Sequence, residues 1–326
     1  MVSRVSHHAS TMKFFTAFLI SLCILSTMKP AEAATPNADE KVESLDLSVG
    51  AMERHYILYA PSGLVPHAPL LIAFHPSGSG AARMRLMSSA VLERLARERG
   101  FAIAYPDGFE GHFNDCRRMA SFSARKQNID DVGFTRAMIA DAAERIGSDA
   151  NRVYALGYSN GGHMAMRLSL ETPELIGGAI VIAANFPTDD NIDCSIADAE
   201  RSRKPSMVFI NGTADPINPY EGGDVTLFGT TDRGNVRSAA EGAQWYAKRY
   251  GLVEQGSLPD LEIKGLTAHW RDWGKGQPSV RLITIEEGGH TIPQAKFDFP
   301  ASLMLGKTFR SDAPLESAFD TLGLTK

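Results

Sequence analysis

The chain has 326 residues, of which 44% are hydrophobic and 22% charged, and its mean hydropathy is −0.14. These values are typical of a soluble globular protein with a substantial core, and they exclude disorder as the default state. The formal net charge of −5 gives no electrostatic support for nucleic-acid binding.

The first 33 residues differ from the rest of the chain. Lys13 precedes an apolar run over residues 14–25, and the small-residue sequence Ala31-Glu32-Ala33 follows. This order predicts a secretory signal peptide over residues 1–33, for which Met1 and Met12 both fit as the start. A transmembrane anchor is the alternative, but the apolar run is shorter than the roughly 20 residues that span a bilayer. We therefore expect a secreted or periplasmic protein, with no stable membrane anchor after cleavage.

A polar leader is predicted over residues 34–44, and residues 45–326 read as one domain in which strands and helices alternate. The predicted strands cover residues 55–60, 70–74, 101–105, 152–157, 179–183, 207–210 and 280–285. Most are apolar throughout, as strands buried on both faces of a parallel sheet are. Helical periodicity is evident over residues 132–146 and 239–250. The alternation predicts an α/β fold whose mostly parallel sheet is flanked by helices on both faces.

The segment Gly157-Tyr158-Ser159-Asn160-Gly161 matches the pattern G-x-S-x-G. It overlaps the end of the predicted strand 152–157, and a helical run over residues 163–170 comes after it. A nucleophile elbow needs this context, because its serine lies on a tight strand-to-helix turn that only small neighbours allow. The alternative is a glycine-rich turn with an incidental serine, which leaves the flanking strand and helix unexplained. The pattern predicts Ser159 as a catalytic nucleophile.

A nucleophilic serine needs a neighbouring base, and after such an elbow the expected chain order is Ser, then Asp or Glu, then His. Asp215 follows the predicted strand 207–210, and His290 follows strand 280–285. Both loops should open at the same sheet edge as Ser159, where ligands of open α/β sheets bind. Alone, Asp215 fits a turn or capping residue and His290 a surface-loop histidine. Their order and placement together predict a catalytic triad.

An oxyanion hole needs two N–H donors, and one should be the backbone N–H of Asn160, the residue after the nucleophile. The other should come from the loop after strand 70–74. That loop reads His75-Pro76-Ser77-Gly78-Ser79-Gly80. Because proline has no N–H, the predicted second donor is Ser77, with Gly78 as the fallback. The alternative is a flexible loop without a catalytic role.

Two cysteines, Cys116 and Cys194, remain after the predicted cleavage. An oxidising compartment would permit them to pair. Metal binding is the alternative, but no other cysteine and no closely spaced histidine set accompanies them. A Cys116–Cys194 disulfide is the prediction.

Three further patterns are open to more than one interpretation. Residues 189–200 have the acidic spacing of a calcium-binding loop, but the glycine required at its sharp turn is missing. Asp130 and Asp131 precede a predicted helix and fit capping residues better than an acid/base pair. Trp270 and Trp273 fit either a substrate cleft or the core.

Five blocks carry a resemblance to a known family. They are Tyr105-Pro106-Asp107-Gly108, Asp130-Asp131-Val132-Gly133-Phe134, Gly157-Tyr158-Ser159-Asn160-Gly161-Gly162, Asn211-Gly212-Thr213-Ala214-Asp215-Pro216 and Gly288-Gly289-His290-Thr291. In these blocks, and over most of residues 50–310, the chain resembles the exported esterases of the polyhydroxybutyrate depolymerase and feruloyl esterase family. The resemblance implies the α/β-hydrolase fold and the same Ser159, Asp215 and His290 triad. Departures from the family pattern at Pro76, Phe113 and Ile292 bear on the substrate and leave the triad intact.

The expected function is therefore serine-dependent hydrolysis of carboxylic esters, without a metal or organic cofactor. The expected partner is an ester substrate, including polymeric ones such as a polyester or a plant polysaccharide ester. A serine peptidase with the same triad and a catalytically inactive polymer-binding protein are the alternatives.

Overall fold

The computed structural model describes residues 40–227, 232–297 and 302–324. The signal peptide predicted over residues 1–33 lies outside these ranges, as do residues 34–39 of the predicted leader. The first strand begins at Lys41, so residues 41–44 pair in the sheet and are not part of a polar leader. Their polar character is explained by the position of this strand at the sheet edge, where its side chains alternate between solvent and protein.

A ten-stranded sheet forms the centre of the protein. Its strands are β1 Lys41–Val49, β2 Met52–Ala60, β3 Leu70–Phe74, β4 Ala102–Pro106, β5 Val153–Tyr158, β6 Gly178–Ile182, β7 Ser206–Gly212, β10 Leu261–Ile263, β11 Leu266–Trp273 and β12 Val280–Ile285. Their spatial order is β1-β2-β4-β3-β5-β6-β7-β12-β11-β10. The strands from β4 to β12 in this order run parallel, and antiparallel strands complete both edges. The mostly parallel sheet is thus confirmed. A separate hairpin consists of β8 Gly223–Thr226 and β9 Asp232–Val236.

Helices lie between the strands and after the last of them. They are α1 Ala81–Arg99, α2 Ser123–Lys126, α3 Asp131–Ile146, α4 Asn160–Glu171, a 3-10 turn Pro173–Leu175, α5 Ala239–Tyr250, α6 Ser302–Leu305 and α7 Ala313–Thr321. Asp130 caps α3 as predicted, because its side chain accepts a hydrogen bond from the N–H of Gly133 at 2.7 Å. Asp131 instead forms a buried ion pair with Arg54 at 2.7 Å. Within the described residues, no helix combines the length and the apolar character that crossing a bilayer requires.

The sheet separates two hydrophobic clusters, one on each face. Along β3, for example, Leu70 belongs to one cluster and Leu71 to the other, because successive side chains of a strand point to opposite faces. Strands buried on both faces must be apolar throughout, which is why the central strands were evident in the sequence. Trp273 and Trp270 are buried in these two clusters, respectively, so both tryptophans belong to the core.

A disulfide joins Cys116 to Cys194, as predicted, with their Cα atoms 5.0 Å apart. Cys116 is buried, and its carbonyl accepts a hydrogen bond from the N–H of Asp193 at 2.7 Å. The disulfide therefore joins the loop after β4 to the loop after β6.

Replacing both cysteines with serine should lower the free energy of unfolding by up to about 4 kcal/mol. The cysteines are 78 residues apart, and in the chain-entropy model a cross-link over so long a loop restricts the unfolded chain strongly. Urea unfolding of the oxidised wild type and of the Cys116→Ser, Cys194→Ser protein measures the difference. A reductant should destabilise the wild type and leave the double variant unchanged. Equal stability of the wild type and the double variant without reductant would contradict this expectation.

The segment 189–200, considered above for calcium, uses three of its acidic side chains for ion pairs, one of them Asp198 with Arg201. Asp189 contacts Arg237, and Asp193 contacts Arg125. Over the described ranges, no group of three or more His, Cys, Asp or Glu side chains is arranged to hold a metal ion.

Candidate active site

Ser159 lies on the turn between β5 and α4, with φ 57° and ψ −117°. A non-glycine residue rarely adopts such a positive φ, and backbone strain of this kind is concentrated at functional sites. The turn is tight, because a Cβ at Gly157 would lie 2.0 Å from the Gly161 carbonyl oxygen, and one at Gly161 would lie 2.3 Å from that of Phe74. The two glycines of G-x-S-x-G are therefore required by sterics. The Ser159 side chain makes no capping hydrogen bond to α4, which leaves its hydroxyl available.

Asp215 and His290 form a buried pair at the ends of β7 and β12. The distance between His290 Nδ1 and Asp215 Oδ2 is 2.7 Å. The other carboxylate oxygen, Oδ1, accepts hydrogen bonds from the N–H groups of Ile217 and Asn218, both at 2.8 Å. These bonds hold the carboxylate in one orientation and direct Oδ2 at the imidazole. With Nδ1–H donating to Asp215, the Nε2 of His290 can accept a proton.

The loop that carries His290 is held against the elbow. The hydroxyl of Tyr158 donates to the His290 carbonyl at 2.6 Å, and the two rings are 5.3 Å apart. The N–H of His290 donates to the Leu305 carbonyl, also at 2.6 Å. Because Tyr158 directly precedes Ser159, these contacts keep the histidine loop beside the serine. The structure thus gathers Ser159, Asp215 and His290 at one edge of the sheet.

The loop after β3 is oriented by His75. The ring accepts a hydrogen bond at Nε2 from the N–H of Gly108, and its Nδ1 lies 2.8 Å from the Pro76 carbonyl oxygen. Burial lowers the pKa of His75 to about 4, so the neutral ring carries its proton on Nδ1 and donates it to Pro76. The Pro76 carbonyl and the Ser77 N–H belong to one planar trans peptide and point in opposite directions. His75 therefore turns the Ser77 N–H away from its own ring.

Of the two N–H donors considered in this loop, one is already engaged. The N–H of Gly78 donates to the Gly111 carbonyl at 2.9 Å, so Gly78 is not available as the fallback donor. In the part of the chain that the structure describes, the Ser77 N–H has no hydrogen-bond partner. The N–H of Asn160 is at the first position of α4, where helical N–H groups lack intrahelical partners. Ser77 and Asn160 thus keep the free donors that their predicted role requires.

The side chain of Asn160 has a structural role that the sequence does not indicate. Its Oδ1 accepts the N–H of Phe113 at 2.8 Å, and its Nδ2 donates to Asp115 at 2.6 Å. Asp115 is also bonded to the guanidinium of Arg117, at 2.6 Å. Burial raises the pKa of Asp115, but the Arg117 charge and the hydrogen bonds from Arg117 together hold this pKa below its usual range. Asp115 and Arg117 lie in an irregular loop, where no periodicity or motif marks them.

His163 is a second histidine close to the elbow. Its N–H donates to the Ser159 carbonyl at 3.1 Å, one helical turn earlier. The ring is buried, and its Nδ1 has no hydrogen-bond partner among the described residues. Burial, followed by the Arg117 charge, lowers the pKa of His163 well below its ordinary value. His163 is therefore a neutral packing residue, whereas His290 has the carboxylate partner that a general base needs.

Comparison with known proteins identifies several esterases as relatives, although no protein-family model matches the chain. The protein NocK of Nocardia uniformis subsp. tsuyamanensis, named as an esterase, is 26% identical over 300 residues, which are 88% of this chain and 84% of that protein. Feruloyl esterase B of Piromyces equi is 28% identical over 257 residues, which are 74% of this chain. The match spans only 44% of that enzyme, less than half its length.

Among solved structures, the acetyl xylan esterase of Aspergillus awamori superposes with a TM-score of 0.56 at 14% identity, covering 87% of this chain and all of that one. None of these three proteins is named as a polyhydroxybutyrate depolymerase, so that part of the resemblance stays a prediction. The chain is therefore similar to proteins named as esterases, among them a feruloyl esterase, and has the α/β-hydrolase fold.

Proposed function

We propose that this protein is an exported serine esterase that hydrolyses carboxylic esters through an acyl-enzyme intermediate. The observation that carries the proposal is the buried Asp215–His290 pair beside a strained serine elbow. Esterase names among the relatives support ester hydrolysis as the reaction class.

In the proposed mechanism, His290 takes the proton of the Ser159 hydroxyl as its oxygen attacks the ester carbonyl carbon. Asp215 keeps the imidazole in the correct tautomer and stabilises its positive charge. The N–H groups of Asn160 and Ser77 donate to the oxyanion that forms. His290 then gives its proton to the departing alcohol, and a water activated by the same histidine releases the acid and regenerates Ser159.

The proposed substrates are hydroxyalkanoate, feruloyl or acetyl esters, including those on polymers. Feruloyl esterase and acetylxylan esterase are names carried by relatives, and they motivate the feruloyl and acetyl members of this group. The predicted signal peptide supports export to the cell exterior or the periplasm, where such polymers would be met.

Matched ester and amide substrates separate this proposal from a serine peptidase. The purified mature protein should hydrolyse 4-nitrophenyl acetate, feruloyl esters and hydroxybutyrate oligomers far faster than the corresponding anilides and peptides. Faster amide than ester cleavage would favour the peptidase. A folded protein that hydrolyses none of these substrates would favour the catalytically inactive binding protein.

The oxyanion assignment predicts different effects for two substitutions of Ser77. Ser77→Ala should change kcat little, because the proposed donor is the main-chain N–H. Ser77→Pro removes that N–H and should lower kcat by roughly a hundredfold, or about 3 kcal/mol. Thermal unfolding of both variants controls for distortion of the loop. If the alanine variant loses as much activity as the proline variant, the hydroxyl is the donor and the assignment is wrong.

A further inference from the structure

Arg233, on β9, is a buried cation that forms no ion pair with any described residue. Its exposed fraction is 7%, and its Nε and Nη1 atoms are buried without a hydrogen-bond partner in the described ranges. Among the residues that the structure describes, no carboxylate forms an ion pair with it. A guanidinium has donors arranged as a fork that matches a carboxylate, and an unpaired buried charge is costly. An arginine in this state indicates that an anion completes the site.

The guanidinium of Arg233 lies beside two stacked rings, those of Phe122 and His112. Its carbon Cζ lies 5.2 Å from the centre of the Phe122 ring, and the half-buried ring of His112 stacks on Phe122 with centroids 4.2 Å apart. The neighbouring Arg117 also lies over Phe122, at 5.7 Å, but it is paired with Asp115. Of the two arginines at this ring, Arg233 is therefore the one whose charge is not neutralised.

The other titratable groups near Arg233 do not offset its charge. Asp115 is used by Arg117 and by the side chain of Asn160. Burial lowers the pKa of both His112 and His163, so neither ring adds or removes charge near pH 7. The pKa of Arg233 is itself lowered by burial and by the Arg117 charge, yet an arginine stays protonated in proteins. The cluster thus keeps a net positive charge.

This cluster is connected to the elbow by direct contacts. Asp115 accepts a hydrogen bond from Asn160, the residue after Ser159. The N–H of Phe113, the residue after His112, donates to the same Asn160 side chain. An anion bound at Arg233 would therefore lie close to the reacting ester, on the side of the loop that carries His112.

We propose that Arg233 binds a carboxylate of the substrate, so that the preferred substrates are esters bearing a free carboxylate a few atoms from the ester bond. Half-esters of dicarboxylic acids, hydroxy-acid oligomers and esters of carboxylated phenols have this chemistry. The inference rests on the proposed esterase function and specifies its substrate class.

Two substrate pairs test the inference, and in each pair only one member carries a carboxylate. On the acyl side, mono-(4-nitrophenyl) glutarate is compared with 4-nitrophenyl pentanoate. On the alcohol side, 4-acetoxybenzoate is compared with 4-methylphenyl acetate. The wild type should favour the carboxylate member of at least one pair in kcat/KM. Arg233→Met should lower that ratio by roughly tenfold or more, as expected for the loss of a charge-assisted hydrogen bond.

Two further variants serve as comparisons. Arg233→Lys should keep part of the preference, because it retains the charge without the fork. Arg237→Met is the matched control, since Arg237 follows the same strand but pairs with the exposed Asp189. It should leave the substrate ratio unchanged. Arg233→Met should also be no less stable to heat than the wild type, because it removes an unpaired buried charge.

Binding of glutarate to the Ser159→Ala protein, measured by calorimetry, tests the anion site independently of the esterase activity. If glutarate binding requires Arg233 but the wild type cleaves no ester, the esterase proposal is wrong and the anion site stands. Equal hydrolysis of charged and neutral esters by the wild type and Arg233→Met, without glutarate binding, would overturn the anion site and keep the esterase.

Discussion

Ser159→Ala is expected to reduce ester hydrolysis to background, a loss of roughly six orders of magnitude in kcat. The hydroxyl supplies the attacking oxygen, and no other side chain described at the elbow can replace it. The fold should be unaffected, because the hydroxyl makes no capping hydrogen bond and alanine can adopt the same φ with similar strain. Initial rates with 4-nitrophenyl acetate, together with thermal unfolding, measure both effects.

Ser77→Ala is the companion variant for Ser159→Ala, since it also removes a hydroxyl at the site and should retain near-normal activity. A folded Ser159→Ala protein that turned over esters at the wild-type rate would end the assignment of the nucleophile.

Asp215→Asn should lower kcat by up to roughly four orders of magnitude. The two backbone N–H groups that now donate to Oδ1 would hold the amide oxygen of the asparagine in that place. The amide NH2 would then face His290 Nδ1 as a donor and force the imidazole proton onto Nε2. In that tautomer Nε2 cannot accept the proton of Ser159.

The surface offers a matched control for this substitution. Asp46 and His55 form an exposed pair with the same kind of contact, Nδ1 to Oδ1 at 2.8 Å. Asp46→Asn should leave kcat unchanged. Near-normal activity in Asp215→Asn would move the acidic partner to another residue.

The catalytic candidates could be predicted because their constraints are local. The elbow needs Gly157 and Gly161 at fixed positions, since a Cβ at either would clash with backbone. Asp215 and His290 follow apolar strands directly, and parallel strands end at the same edge of a sheet. A short segment of sequence is therefore enough to predict both the catalytic residue types and their position at the sheet edge.

Other parts of the site could not be predicted, because long-range contacts create them. The β1 strand alternates polar and apolar residues at the sheet edge, and it resembles a polar leader until its pairing with β2 is known. The engagement of Gly78 depends on Gly111, which lies in another loop. The uncompensated charge of Arg233 depends on how the hairpin β8–β9 meets the loop that carries Phe122. No spacing in the sequence encodes these contacts.

The most direct test of Ser159 as the nucleophile is labelling of the mature protein with a fluorophosphonate, followed by mass-spectrometric identification of the modified residue. We expect stoichiometric phosphonylation of Ser159, loss of activity in parallel, and no labelling of the Ser159→Ala protein. An active protein that stays unlabelled, or one modified at a different serine with loss of activity, would contradict the assignment of Ser159 as the nucleophile.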